Sequence, residues 1–305
     1  MGKIFGYIGK LDNKLLYKMS RSISCGDSKN LEFISVKNVN VGLLKDSEND
    51  QVFSDKKRRL HVCFEGEAYV VSKNVYSSTA EAIIHLYDQY GTNFLQHLYG
   101  PNTLIVIDEQ KGKMLIVRDK VGERPLFYLR VNGKLIFASE IRSILQVDGF
   151  KREIDPTALD YFLFFSYIPS PFTIFKGIKK LPPSCFINWD LNGKDFEIKQ
   201  YWDPSFKVNQ GLDEDAWAQI IYNNLVNSTK MMLQKCRAPL GVLLSGGIDS
   251  SIIAAILRKL VDEDTEIAAF TSSFSDVEYD ETFYAKKVAE HLNLDHHIQV
   301  IEQDH

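Results

Sequence analysis

The chain has 305 residues, a length that predicts two domains rather than a single hydrophobic core. Hydrophobic residues make up 45% of it and charged residues 25%, as in globular proteins, and the formal net charge of −4 gives no reason to expect a nucleic-acid partner. Because no apolar stretch reaches the roughly 18 residues of a membrane span and no secretory signal core opens the chain, we expect a cytoplasmic protein without a membrane partner.

Residues 1–150 have the pattern of short strands interrupted by one helix. Ser78 begins a capping box, apolar residues follow it at helical spacing, and Gly91 is placed to end the helix. Val131-Asn132-Gly133-Lys134 is typical of a hairpin turn. The segments predicted as strands are Leu60–Tyr69, Leu104–Asp108, Leu115–Arg118, Pro125–Val131 and Lys134–Ala138. This content predicts an α+β layered domain.

Residues 151–210 are predicted to connect two domains, with the boundary near Gly211. Asp155-Pro156 has the pattern of a helix N-cap followed by proline at the first helical position. The segment from Tyr161 to Tyr167 is aromatic and apolar, so we expect it to be buried between the domains. Prolines at four positions then predict an extended path: Pro169, Pro171, Pro182 and Pro183.

Residues 211–305 alternate between helix and strand patterns, which predicts a parallel α/β sheet. The predicted elements are helix Asp213–Leu233, strand Leu240–Leu244, helix Ser250–Leu260, strand Ile267–Phe274, helix Tyr279–Leu292 and strand His297–Ile301. Since a sheet of three parallel strands would leave a face or an edge poorly covered, we expect this domain to be incomplete.

The cysteines and the paired histidines give little support for a metal site. The four cysteines are far apart, which argues against a disulfide framework or a zinc site: Cys25, Cys63, Cys185 and Cys236. His296 and His297 are adjacent on a predicted strand, so they should point to opposite faces. No metal ligand is assigned from the sequence.

The strongest chemical pattern is the segment Ser245-Gly246-Gly247-Ile248-Asp249-Ser250-Ser251, between the apolar strand ending at Leu244 and a helix. Glycines let a ligand approach the backbone closely, and free N–H groups at a helix start favour an anion. Hydroxyl groups of the serines add further donors. The alternative is a glycine-rich turn that binds no ligand.

Asp249 indicates which anion the loop would take. The loop has no lysine, unlike the Gly-x-x-x-x-Gly-Lys-Ser/Thr phosphate loop. A carboxylate beside a phosphate is repulsive unless Mg²⁺ lies between them. The predicted ligand is therefore Mg-ATP, with its β- and γ-phosphates on the loop and pyrophosphate as the leaving group.

Several motifs together resemble the asparagine synthetase family, whose members join a class II glutamine amidotransferase domain to an ATP-pyrophosphatase domain. The resemblance covers almost the whole chain. Its motifs are Arg118-Asp119-Lys120-Val121-Gly122-Glu123-Arg124-Pro125-Leu126-Phe127-Tyr128, Phe137–Ile141, Tyr167–Pro171, Thr173–Pro183, Tyr201–Pro204, Ser245–Ser251, Glu278–Glu281 and Val288–Leu292.

The resemblance implies a fold, a reaction and a set of site residues. It implies an Ntn-hydrolase-like layered domain, which releases ammonia from glutamine in the family. It also implies a domain that adenylates a carboxylate, aspartate in the namesake enzymes, before ammonia displaces AMP. Leu243 matches the position whose backbone reads adenine. The implied phosphate contacts lie on the loop at Ser245, Gly246, Gly247, Asp249 and Ser250.

The chain departs from the family pattern at the glutaminase centre, so no catalytic residue is assigned. The family nucleophile is a cysteine at position 2, which is Gly2 here. The asparagine that supports the oxyanion is replaced by Glu65, and the acid that holds the glutamine amine aligns with Thr79. No arginine occurs near Leu44-Lys45-Asp46, where the family clamps the glutamine carboxylate. We therefore expect glutaminase activity to be lost.

Three hypotheses stay open for the chain. The first is an asparagine synthetase-like ligase that lacks glutamine hydrolysis and is inactive without a C-terminal synthetase polypeptide as partner. The second is an amide former like the β-lactam synthetases or lasso-peptide cyclases, which use an amine of the substrate itself. The third is a non-catalytic fragment or a subunit of a split synthetase. The carboxylate and amine substrates and the oligomeric state stay open.

Overall fold

A computed structural model describes residues 2–10, 12–24, 30–70, 76–131, 133–193, 196–206, 211–234, 236, 239–274 and 281–301. The chain divides into two compact units, Met1–Ser205 and Phe206–His305. Cys25, Asn132 of the predicted turn, and residues 278–280 of the family motif lie outside the described residues.

The first unit consists mainly of antiparallel strands. Its strands are β1 (Lys3–Ile8), β2 (Leu31–Val36), β3 (Val39–Leu44), β4 (Gln51–Asp55), β5 (Leu60–Gly66), β6 (Tyr69–Val70), β7 (Leu98–Tyr99), β8 (Asn102–Asp108), β9 (Lys113–Arg118), β10 (Phe127–Val131), β11 (Lys134–Ala138), β12 (Ile178–Lys180), β13 (Cys185–Asp190) and β14 (Phe196–Gln200). Its helices are α1 (Asn13–Arg21), α2 (Thr79–Tyr90), a 3-10 helix (Gly91–His97), α3 (Ile141–Ile144) and α4 (Pro156–Phe165).

Two antiparallel sheets form the middle of this unit. The first has the strand order β12-β10-β11-β1-β3-β2, and the second has the order β14-β13-β9-β8-β5-β4. Residues of both sheets share one buried cluster, which includes Ile4, Leu43, Ile105 and Ile116. The two sheets therefore pack face to face, with alternate residues of each strand directed into the space between them.

The outer faces of both sheets are covered by helices. Phe5 of β1 packs in a cluster with Met19 of α1 and Ile144 of α3. Phe64 of β5 packs in a cluster with Ile83 of α2. The resulting order of layers is helix, sheet, sheet, helix. This arrangement confirms the predicted α+β layered, Ntn-hydrolase-like domain.

The helix predicted after Ser78 is confirmed. Ser78 Oγ accepts a hydrogen bond of 3.1 Å from the Glu81 backbone N–H, and Glu81 accepts one of 2.8 Å from the Ser77 N–H. Gly91, with φ of 56°, caps the other end. The predicted strand Leu60–Tyr69 is in fact divided, because Gly66 has a φ of 106° and ends β5.

Two features of residues 151–205 differ from the sequence prediction. The segment is part of the first unit, since β12 extends its first sheet while β13 and β14 extend the second. The aromatic segment was predicted to be buried, and this was wrong. Leu163 is 73% and Phe164 is 81% exposed, and Ala158 is the buried residue of α4. Apolar composition produces burial only where another surface covers the side chains.

The second unit confirms the predicted start of a parallel α/β domain. Its elements are α5 (Glu214–Leu233), β15 (Leu240–Leu243), α6 (Ile248–Leu260), β16 (Ile267–Phe274), α7 (Thr282–His291) and β17 (Asp295–Ile301). The strands pair in parallel in the order β15-β16-β17. One face of the sheet packs with α6 and α7 through Leu244, Ala254, Ala269 and Ala285.

None of the described helices is long and apolar enough to cross a membrane.

Candidate nucleotide-binding site

The predicted phosphate loop is a tight turn between β15 and α6. Gly247 is the N-cap of α6, which begins at Ile248, two residues before the predicted start. Gly246 has a φ of 83°, and a Cβ atom added there would lie 2.4 Å from the backbone nitrogen of Ala285 in α7. Position 246 therefore requires glycine both for its backbone conformation and for the close approach of α7.

Hydroxyl groups hold this turn in one shape. The Ser245 backbone N–H donates to Ser250 Oγ over 3.2 Å, and the two serine hydroxyl oxygens lie 3.1 Å apart. The Gly247 N–H donates to Ser245 Oγ over 3.3 Å, and Ser251 Oγ donates to the Gly247 carbonyl over 2.7 Å. These hydrogen bonds are made within the turn, which lies at the start of a helix, where the helix dipole favours an anion.

A cavity of about 420 Å³ opens at the carboxyl end of β15, beside the middle of β16. Its lining residues are Leu243, Leu244, Ser245, Ser250, Phe270, Thr271, Ser272 and Glu281. The cavity brings together Leu243, Ser245 and Ser250 of the predicted set. It has an apolar part at Leu243 and Phe270 and a hydroxyl-rich part at the loop, which suits a ligand with a planar base and phosphates.

Other predicted site residues do not line this cavity. Gly246 and Gly247 shape the turn, and Asp249 is exposed in the first turn of α6. Sequence reasoning missed Phe270, Ser272 and Glu281. The first two lie on the adjacent parallel strand, where Phe270 pairs with Leu243 at the carboxyl end of β15. Because ligands bind at the carboxyl ends of strands in such sheets, the strand pattern contained a signal that could have found them.

The adjacent histidines lie on opposite faces of β17, as predicted. His297 stacks on Phe270 with ring centroids 5.2 Å apart. Thr271 Oγ1 donates to the Leu244 carbonyl over 2.6 Å and lies 2.7 Å from His296 Nε2. Burial lowers the pKa of His296. Among the described residues, no group of three or more His, Cys, Asp or Glu side chains is arranged to hold a metal ion.

The positions that depart from the family pattern in the first unit have different surroundings. Glu65 is 2% exposed; Ser139 Oγ donates to its Oε2 over 2.7 Å, and Arg124 Nη1 lies 3.7 Å from its Oε1. Burial raises the pKa of Glu65 to about 7. Lys45 pairs with Glu32 at 3.2 Å. Thr79 is the first residue of α2.

Comparison with known proteins connects both units to one family. Residues 41–202, more than half of the chain, match the model of a glutamine amidotransferase domain. Residues 221–305 match the model of asparagine synthase.

Similar proteins come from archaea and fungi. A putative glutamine-hydrolysing asparagine synthetase of Methanocaldococcus jannaschii is 29% identical over 220 residues, which are 71% of this chain and 42% of that protein. The amidase chyE of Penicillium rubens is 28% identical over 280 residues, 84% of this chain and 41% of that protein. Glutamine phosphoribosylpyrophosphate amidotransferase of Bacillus subtilis superposes with a TM-score of 0.44 and 12% identity, over 97% of this chain and 65% of that one.

The chain spans about two fifths of the length of these curated relatives. The two family models follow each other along the chain in the positions of its two units. The chain belongs to the asparagine synthetase family.

Proposed function

We propose that this chain is the nucleotide-binding part of an asparagine synthetase-like ligase, which activates a carboxylate with ATP, releases pyrophosphate and forms an amide. The observation that carries the proposal is the loop Ser245–Ser250 beside a cavity at the carboxyl end of β15. In the division proposed here, residues 1–150 are a degenerate amidotransferase-like domain, residues 151–210 a connection and residues 211–305 the first part of the ATP-binding domain.

The proposed ATP site uses the residues of the loop and of the strand end before it. The Leu243 backbone contacts adenine, while Ser245 and Ser250 donate to the β- and γ-phosphates. Gly246 and Gly247 allow the backbone to approach the phosphates. The exposed carboxylate of Asp249 is the proposed partner of Mg²⁺, because it would repel phosphate without a cation between them. When bound, ATP supplies the α-phosphate that activates the carboxylate.

The ammonia of the proposed reaction does not come from glutamine on this chain. Gly2 has no side-chain nucleophile, and the buried Glu65 stands where the family has the asparagine that supports the oxyanion. The amine is therefore free ammonia or a group on the substrate.

A C-terminal synthetase polypeptide is the proposed macromolecular partner. The second unit exposes apolar side chains, among them Ile221 and Tyr222. An apolar groove of about 420 Å³ lies between α5 and α6, lined by Ile221, Tyr222, Leu225 and Ile252 among others. Exposed apolar surface of this kind favours association. Aspartate is the first carboxylate to test, because asparagine, for which the family is named, is the amide of aspartate.

The test is an assay of AMP and asparagine formed from Mg-ATP, aspartate and ammonia. It is run with this chain alone, and then with the C-terminal half of the Methanocaldococcus jannaschii relative added as a separate polypeptide. We expect nucleotide binding by the chain alone and AMP release only in the mixture, because substrate positioning contributes several kcal/mol to lowering the barrier. Failure to bind Mg-ATP would overturn the proposal.

A second candidate is an amide former that acts on another carboxylate, of the β-lactam synthetase or lasso-cyclase type. Two relatives that match 84% of this chain, from Penicillium rubens and Gibberella zeae, are named amidases. This candidate predicts AMP release with a substrate that carries its own amine, without added ammonia. A non-catalytic subunit is favoured instead if Mg-ATP binds but no mixture releases AMP.

A further inference from the structure

One buried carboxylate contacts a position at which the first unit departs from the glutaminase pattern and also the neighbour of a second such position. Asp50 is 1% exposed and lies between Gly2, which precedes β1, and Gly66 at the end of β5. Gly66 follows Glu65, which replaces the asparagine of the family pattern. The inference below rests on the proposed loss of glutamine hydrolysis.

Backbone amides fix the Asp50 carboxylate in place. The Gly66 N–H donates to Oδ1 over 2.8 Å. The N–H groups of Asp46 and Ser47 donate to Oδ2 over 2.9 and 3.0 Å. Hydrogen bonds to an ionised acceptor are about twice as strong as those between neutral groups. The side chain cannot turn away without leaving the buried Gly66 amide unpaired.

The same carboxylate occupies the volume of a side chain at position 2. A Cβ atom added to Gly2 would lie 2.3 Å from Asp50 Oδ2, 2.6 Å from its Cγ and 2.9 Å from its Oδ1. Each of these distances is shorter than any normal contact, so alanine does not fit while Asp50 keeps its position. Cysteine, which adds a sulfur atom beyond Cβ, fits less well.

We propose that Asp50 is a permanent internal occupant of the former glutaminase centre and that it makes glycine obligatory at position 2. One carboxylate oxygen lies where the side chain of a nucleophile would begin. The other oxygen takes the backbone N–H that follows Glu65. A glutamine amide attacked at this place would meet a negative charge, and the N–H of Gly66 would not be free to stabilise an oxyanion.

This arrangement has a consequence for restoring the activity. A cysteine introduced at position 2 is blocked by Asp50, so Gly2→Cys alone gives no accessible thiol at that site. Removal of the Asp50 carboxylate is required first. Loss of the nucleophile and occupation of the centre are therefore coupled through a direct contact between two residues.

A double-mutant cycle tests the coupling through the thermal unfolding midpoint. We expect Gly2→Ala to lower Tm by several degrees in the wild-type background and to have no measurable effect in the Asp50→Ala background. Asp148, exposed and paired with Lys18 at 2.7 Å, supplies the control, and Gly2→Ala with Asp148→Ala should be additive. Additivity with Asp50→Ala, or a neutral Gly2→Ala in the wild type, would overturn the proposal.

Two further measurements keep the test decisive if a variant does not fold. In the wild-type protein, the peptide that contains Gly66 should show slow hydrogen exchange at that amide, and rapid exchange there would contradict its bond to Asp50. In Gly2→Cys, alkylation of the peptide spanning position 2 should rise at least tenfold when Asp50→Ala is added. Equal labelling of both variants would count against the proposal. None of these measurements depends on ATP, so their failure leaves the proposed ligase function to its own assay.

Discussion

The candidate sites of the two units differ in what lies against their backbone N–H groups. In the first unit, the Gly66 N–H is directed at the Asp50 carboxylate of the same chain, and both are buried. In the second unit, the loop at Ser245 and Ser250 faces an open cavity. The Gly66 N–H is therefore already paired with a side chain of the chain, whereas the turn at Ser245 borders open space.

One carboxylate of each unit also differs from the other in its exposure to solvent. Glu65 is buried and has a pKa raised to about 7 by burial. Asp249 lies exposed at the start of α6. A buried carboxylate tends to become neutral, while an exposed one is available to a cation. The predictions below test this contrast, beginning with the largest expected effect.

The first prediction is the complete absence of glutamine hydrolysis by this chain. Gly2 offers no thiol, and Glu65 replaces the oxyanion-supporting asparagine. Purified protein incubated with glutamine should release no more glutamate than a boiled control. Turnover that thiol alkylation abolishes would show that another cysteine acts as the nucleophile. The first unit would then still carry an active site, contrary to the comparison above.

The second prediction concerns the glycine on which the phosphate loop depends. Gly246→Ala should destabilise the second unit by about 3 kcal/mol or more, because positive φ and overpacking each cost about 1–3 kcal/mol. Gly149→Ala is the matched control, since Gly149 has a φ of 80° with nothing within 4 Å of an added Cβ. It should cost about 1 kcal/mol. Denaturant unfolding gives both values, and equal costs would refute the close approach of Ala285.

The third prediction concerns the buried Glu65 and the pH. Its folded-state pKa of about 7 lies above the ordinary value of 4.5. Its contribution to stability is therefore fully present below about pH 4.5 and is lost as the pH rises through 7. The loss amounts to about 3 kcal/mol, at 1.36 kcal/mol for each unit of pKa shift.

Glu65→Gln should remove this pH dependence. The unfolding free energy of the variant relative to the wild type should rise by about 3 kcal/mol between pH 4.5 and pH 8. Exposed Glu263 provides the control, and Glu263→Gln should leave the profile of the wild type unchanged. Parallel profiles for wild type and Glu65→Gln would mean that Glu65 is ionised without cost.

The fourth and smallest effect is on nucleotide affinity. Ser250→Ala should weaken Mg-ATP binding roughly tenfold or more, because a hydrogen bond to a charged group contributes about 1.5–3 kcal/mol. Asp249→Ala should weaken it by at least as much, because it removes the carboxylate proposed to hold Mg²⁺. Calorimetry measures the affinity, and Asp264→Ala, an exposed carboxylate beyond the other end of α6, is the control. An unchanged affinity in Asp249→Ala would mean that this carboxylate does not hold the magnesium ion.

Local sequence patterns predicted the elements whose structure depends mainly on residues that are neighbours in the chain. The capping box at Ser78, the N-cap at Asp155 and the alternation of helix and strand after residue 211 each predicted an element that the structure contains. The glycine-rich turn and its position between a strand and a helix were likewise predicted from the sequence, because turn conformation and helix starts depend on a few consecutive residues.

Contacts between residues that are far apart in the chain were determined by the tertiary structure alone. It brought Phe270 and Ser272 to the cavity beside Ser245, and it left the aromatic face of α4 exposed. It also placed Asp50 against Gly2, 48 positions away, and no local pattern connects these two residues. Such contacts arise because sheet pairing joins β1 to β3 and β11, and β5 to β4 and β8. Pairing of this kind depends on packing over the whole unit, which local sequence patterns do not encode.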